Sequence, residues 1–196
     1  MKDLSTVPYY DTTEQLVDIL CKKTQSNSPL FFRVLVSYYL TKVASMMRTN
    51  IETKDRGIIP INLYAINLAN SGLGKGHSTN IVEEQVINEF RERFIEGTFP
   101  IVSEDNLVKL ANKRAAKKCE DPEAELVKVQ KEFDHAGTFA FAFDSGTTAA
   151  VKQMRHKLLM SGAGSMNLEI DEIGSNLLSN VDVLTTFLEL FDVGKV

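Results

Sequence analysis

The sequence predicts an α/β fold. A parallel sheet of the phosphate-loop (P-loop NTPase) type is led in by N-terminal helices, with a helical insertion between its first and second core strands. Two motifs predict it. The segment Ala69-Asn70-Ser71-Gly72-Leu73-Gly74-Lys75-Gly76 follows a short apolar run at 58–68 and precedes a helix-like segment. The segment Met166-Asn167-Leu168-Glu169-Ile170-Asp171-Glu172 alternates apolar and polar residues and ends in an acidic pair.

The first motif suits a polyphosphate. Backbone N–H groups must wrap the anion, so the loop must lack bulk and tolerate positive φ. Gly72, Gly74 and Gly76 supply that freedom. The helix that follows offers its N-terminus to the anion, and Lys75 reaches the β- and γ-phosphates as a point charge. Asn70, Ser71, Gly72, Leu73, Gly74, Lys75, Gly76 and His77 are therefore the candidate nucleotide-binding residues. The loop departs from G-x-x-x-x-G-K-[ST] at two places. Ala69 stands at the first glycine, and Gly76 stands where a hydroxyl usually ligates Mg²⁺. Ser78 is then a candidate for the metal ligand. Read alone, the segment favours a nucleotide, with a glycine-rich turn as the competing reading.

The second motif reads as a strand with two carboxylates at its C-terminal end, where open α/β sheets bind ligands. Asp171 would hold Mg²⁺ through its water shell, and Glu172 would polarise the attacking water. Lys75 and Glu172 are the candidate catalytic residues. Asn167 and Glu169 interrupt what is usually a continuous apolar strand. Alone, this motif is also compatible with an ordinary strand running into an acidic turn.

The elements follow in order. Residues 11–26 read as a helix capped by Asp11, Thr12 or Thr13, with Leu16, Ile19 and Leu20 on one face. Asn27-Ser28-Pro29 breaks it. Residues 30–49 form a second helix, with Phe32, Val36, Tyr39, Leu40 and Val43 apolar and Arg33, Lys42 and Arg48 polar. A turn at 54–57 leads to the first core strand, 60–68. Residues 78–96 are a helix with Ile81, Val86, Ile87, Phe90 and Phe94 buried, ended by 97–100. Helices at 104–119 and 121–134 hinge near Pro122, which suits a first turn. A strand at 137–143 places Phe139, Phe141 and Phe143 on one face, as a buried face rather than a stacking platform. A helix at 147–160, a turn at 161–164, the acidic strand and a helix near 183–191 complete the chain. Residues 1–56 form the helical lead-in and 57–196 the core, with the insertion at about 103–135.

Composition narrows the class. With 196 residues and 43% hydrophobic content, the chain is one globular domain, or one with a small accessory part. No apolar run approaches the roughly 20 residues of a membrane span, and the N-terminus lacks a signal-peptide apolar region. Cys21 and Cys119 form no metal spacing, so reduced thiols and a cytoplasmic location are expected. A net charge of −4 does not advertise nucleic-acid binding. Lys109, Lys113, Arg114, Lys117 and Lys118 cluster on one helix, either as a contact surface or as a solvated face near a helix C-terminus.

With both motifs in place, the chain resembles the P-loop ATPase domain attached to phage and bacterial primase-helicase proteins, within the RecA/AAA-like class. The likeness includes the lead-in ending at Met46-Met47-Arg48, the run from Asn62 to Gly76, and Phe143-Asp144-Ser145-Gly146-Thr147-Thr148. It continues through 171–177 and 188–194. It implies a hexamer, ATP hydrolysis with Mg²⁺, translocation along single-stranded DNA in replication, and host cytoplasm for a viral source. In such ATPases a sensor strand and a trans-acting arginine follow the acidic strand. Neither has a place before Val196, so a C-terminally incomplete core is expected. The alternative is a non-enzymatic or reduced relative, a loader or assembly scaffold, which Gly76 favours. A nucleotide kinase fits less well, because Arg155 is the one arginine after Arg114.

Overall fold

The computed structural model describes residues 8–67, 74–142, 147–169 and 185. Within these the chain is mostly helical. Its one sheet among the described residues has two antiparallel strands. The parallel α/β core expected from the motifs is therefore corrected. The chain divides into two compact units, Met1–Val43 with Leu63–Glu89, and Ala44–Asn62 with Phe90–Val196. The expected boundary at residue 56 falls in the turn of a hairpin in the second unit.

The first unit packs α1 (Asp11–Thr24), most of α2 (Pro29–Met46) and α3 (Lys75–Gln85). In α1, Asp11 and Glu14 sit in the first turn and Lys22 and Lys23 in the last, each complementing the helix dipole. Gln25 ends the helix in the left-handed region, φ 52°. The core joins Val17 and Leu20 of α1, Phe31, Phe32, Leu35, Val36 and Tyr39 of α2, and Ile81 and Val82 of α3. Polar ties cross the same contacts. The Arg33 guanidinium donates to both Glu14 carboxylate oxygens at 2.7–3.1 Å. Lys23 Nζ donates to Gln85 Oε1 at 2.6 Å. Lys42, expected on a polar face, has a fully buried side chain whose Nζ lies 3.0 Å from Glu83 Oε1. Leu40, expected to be apolar and inward, is 52% exposed.

In the second unit, β1 (Asn50–Thr53) pairs with β2 (Gly57–Pro60) in the register Ile51↔Ile59 and Glu52↔Ile58. Thr53 Oγ1 closes the turn, donating to the Gly57 carbonyl and accepting from the Arg56 N–H. The first core strand expected at 60–68 is not found over its described part, which ends at residue 67. Residues 61–67 have no regular structure, and Ile58, Tyr64 and Ile66 are half or more exposed. A parallel core strand is covered on both faces. In this segment Asn62, Leu63, Tyr64 and Ile66 are exposed, and no residue from 61 to 67 is fully buried.

The helix expected at 78–96 is three pieces: α3, α4 (Asn88–Arg93) and a π-helical turn, Phe94–Thr98. The stop expected at 97–100 does not occur, since α5 (Phe99–Lys118) continues directly. Pro100 is tolerated because it sits in the first turn of α5. Cys119 then turns the chain at φ 54°, and Asp121 caps α6 (Pro122–Phe133) by accepting from the Ala124 N–H at 3.0 Å. Small Ala111 and Ala115 let α5 approach α6 closely.

Of the strand expected at 137–143, Phe143 lies outside the described residues, and residues 137–141 are helical, in α7 (Ala136–Phe141). Its buried residues are Ala136, Gly137, Ala140 and Phe141, a helical rather than an alternating pattern. Phe141 meets Phe94 edge-on at 5.2 Å, whereas Phe139 is 38% exposed. Thr147 caps α8 (Thr148–Ser161), and Gly162 ends it at φ 76°. The described part of the acidic strand is irregular apart from a bridge at Leu168. There the Asn167 amide donates to the Ala140 carbonyl at 2.8 Å.

Candidate functional site

The glycine-rich segment enters the described residues at Gly74. That residue is left-handed, φ 74° and ψ 29°, and is the N-cap of α3. Addition of a Cβ there would meet no steric neighbour, but would strain the backbone. Lys75, Gly76 and His77 form the first turn, all three exposed. Their N–H groups precede the first intrahelical bond, Ser78 N–H to the Gly74 carbonyl at 2.9 Å. The turn contains no acidic residue. Lysine in this position opposes the dipole, whose positive end favours anions. The end of the helix is anchored below the turn, because Ser78 is fully buried and Ile81 and Val82 enter the core.

Gly74, Lys75, Gly76 and His77 are thus brought together at one helix end. Asn70, Ser71, Gly72 and Leu73 lie outside the described residues. So do Asp171 and Glu172, and nearly all of the helix expected at 183–191. Ser78 is beside the turn, but its hydroxyl is buried and donates to the Gly74 carbonyl at 2.9 Å. Gly76 has no side-chain oxygen, so neither residue presents a free ligand to Mg²⁺ in this arrangement. Among the described residues, no group of three or more His, Cys, Asp or Glu could hold a metal ion.

The basic cluster on α5 is partly committed within the fold. Arg114 pairs with Glu132 at 2.6 Å, and Lys118 with Glu125 at 3.1 Å. The hydrogen bond from Arg114 holds the Glu132 carboxyl below its usual range, and the Lys118 bond does the same for Glu125. Sequence reading missed the Lys42–Glu83 pair, which joins α2 to α3. The available signal was Lys42 lying three residues from the core residue Tyr39, whose ring lies 5.0 Å from Nζ. Among the described residues no helix is long and apolar enough to cross a membrane. Compared with known proteins, the chain matches no family model, no curated protein and no solved structure.

Proposed function

We propose that the chain binds the phosphate groups of a nucleoside triphosphate through residues 69–77, with ATP as the ligand and Lys75 as the contacting cation. The observation that carries this reading is the start of α3. A left-handed glycine turns the chain, and an exposed lysine stands first in a helix whose leading N–H groups face the same end. A phosphate there would satisfy those donors, offset the lysine against the dipole and accept charge-assisted hydrogen bonds.

Two fuller readings extend it. One is the resemblance's hexameric, Mg²⁺-dependent ATPase moving on single-stranded DNA, with Asp171 holding the metal and Glu172 activating water. The other is a nucleotide-binding module that serves as a loader or assembly element. The second is favoured here by the antiparallel, mostly helical architecture and by Gly76 and Ser78, which offer no free hydroxyl beside Lys75.

The test is ATP titration by calorimetry, combined with phosphate release measured with and without single-stranded DNA. The proposal expects saturable binding with slow release that DNA does not stimulate. DNA-stimulated release would select the helicase reading. No saturable binding would reject both.

A further inference from the structure

A cavity of about 150 Å³ lies wholly within the second unit. Its floor is apolar and buried: Met46, Phe94, Phe99 and Ala163. Arg48 and Thr98 stand at its exposed edge.

Two features distinguish it from a packing defect. First, Phe94 and Thr98 are the two ends of the π-helical turn. A π turn inserts a residue into the helical ladder, and such turns concentrate at functional sites. Second, Arg48, which ends α2 in the left-handed region as Gln25 ends α1, runs its side chain over Gly164, where a Cβ would come within 2.8 Å of Arg48 Nε. The glycine leaves the lane along which the guanidinium lies, and Arg48 makes no ion pair among the described residues.

The chemistry of the lining selects a ligand class. An apolar cavity near 150 Å³ accepts about one benzene ring. Thioethers and aromatic edges both favour a ring as neighbour. A guanidinium at the mouth takes a carboxylate through two parallel N–H···O bonds. We propose that this cavity binds a small aromatic monocarboxylate, its ring against Met46, Phe94 and Phe99 and its carboxylate on Arg48.

The experiment uses the whole chain with ¹³C-methyl-labelled methionine. The Met46 and Met47 resonances are assigned through Met46→Leu and Met47→Leu. Benzoate is titrated as the probe, with neutral benzyl alcohol as its uncharged counterpart. Saturable shifts at those two methyls are expected, with benzoate bound about 10-fold or more tighter than the alcohol. Arg48→Gln should bring benzoate down to the alcohol's level and leave the alcohol unchanged. Val102→Phe, which fills the cavity from its lining, should remove both. Absence of saturable shifts at Met46 and Met47 overturns the site. Equal affinity of the wild-type chain for the two probes overturns the carboxylate assignment without relying on any variant.

Discussion

Gly137→Ala tests whether α7 packs as a helix face. In an exposed helix this change stabilises by about 1 kcal/mol, because glycine loses more backbone entropy than alanine. Here a Cβ would lie 2.7 Å from Phe99 Cδ1 and 3.0 Å from Cγ. Ordinary carbon contacts are about 3.5–4.0 Å, so the overlap approaches 1 Å. The neighbour is a rigid ring, 7% exposed, with Phe94 6.2 Å from it. It cannot swing into solvent as a lysine tip would. Overpacking of this kind costs about 1–3 kcal/mol. The clash therefore outweighs the helix gain, and a net loss of about 1 kcal/mol is expected. In a chain of this size that lowers Tm by about 2–4 °C. Gly97→Ala is the matched control, since a Cβ there meets nothing within 4 Å. Thermal melts of both variants, with the urea midpoint as a second readout, decide it. Phe99→Leu in the Gly137→Ala background should recover part of the loss. A Gly137→Ala chain as stable as Gly97→Ala would refute the packing of α7 on α5.

Two further outcomes concern ion pairs. Glu83→Gln should cost more than Lys42→Met, because it removes a carboxylate contact from an ammonium that stays buried, whereas Lys42→Met removes the buried charge itself. The asymmetry arises because Glu83 retains 18% side-chain exposure and Lys42 has none; chemical denaturation of both variants measures it. Acid should destabilise the chain through Glu14, Glu125 and Glu132. Hydrogen bonds from Arg33, Lys118 and Arg114 respectively hold all three below the usual carboxylate range. A depressed folded value contributes stability that is complete above the unfolded value, about 4.3, and lost as pH falls through the folded values. Tm should therefore be flat from about pH 6 to 5 and fall below about pH 4.3, with a shallower fall in Glu132→Gln.

The helices were legible where local signals agree. Pro122 with Asp121 before it marks the start of α6, Thr147 caps α8, and Gly162 stops it, all as single-residue chemistry requires. The strands were not legible. The alternation of Phe139, Phe141 and Phe143 has high β-propensity, yet the packing surface that Ala136, Gly137, Ala140 and Phe141 share is helical. Propensity yields to such tertiary contact. The run at 58–68 looked like a buried strand because composition alone does not say what covers it. Pairing with β1 instead consumes Ile58 and Ile59 in a hairpin. Lys42 was assigned to solvent by type, and burial beside Glu83 depends on a residue 41 positions away. At the candidate site, the helix expected from residue 78 begins three residues earlier, at Lys75, directly after the left-handed Gly74. The engagement of Ser78 with Gly74 becomes visible once α3 is seen to begin there.

Equilibrium titration of the chain and of Lys75→Ala with a fluorescent ATP analogue bears most directly on the central claim. Lys75 is exposed at the first position of α3, so its removal should leave the far-ultraviolet circular dichroism unchanged. The account predicts saturable binding by the wild-type chain and a loss of about 10- to 100-fold in the variant, the worth of one charge-assisted phosphate contact. Equal affinity of the two proteins for the analogue would contradict it.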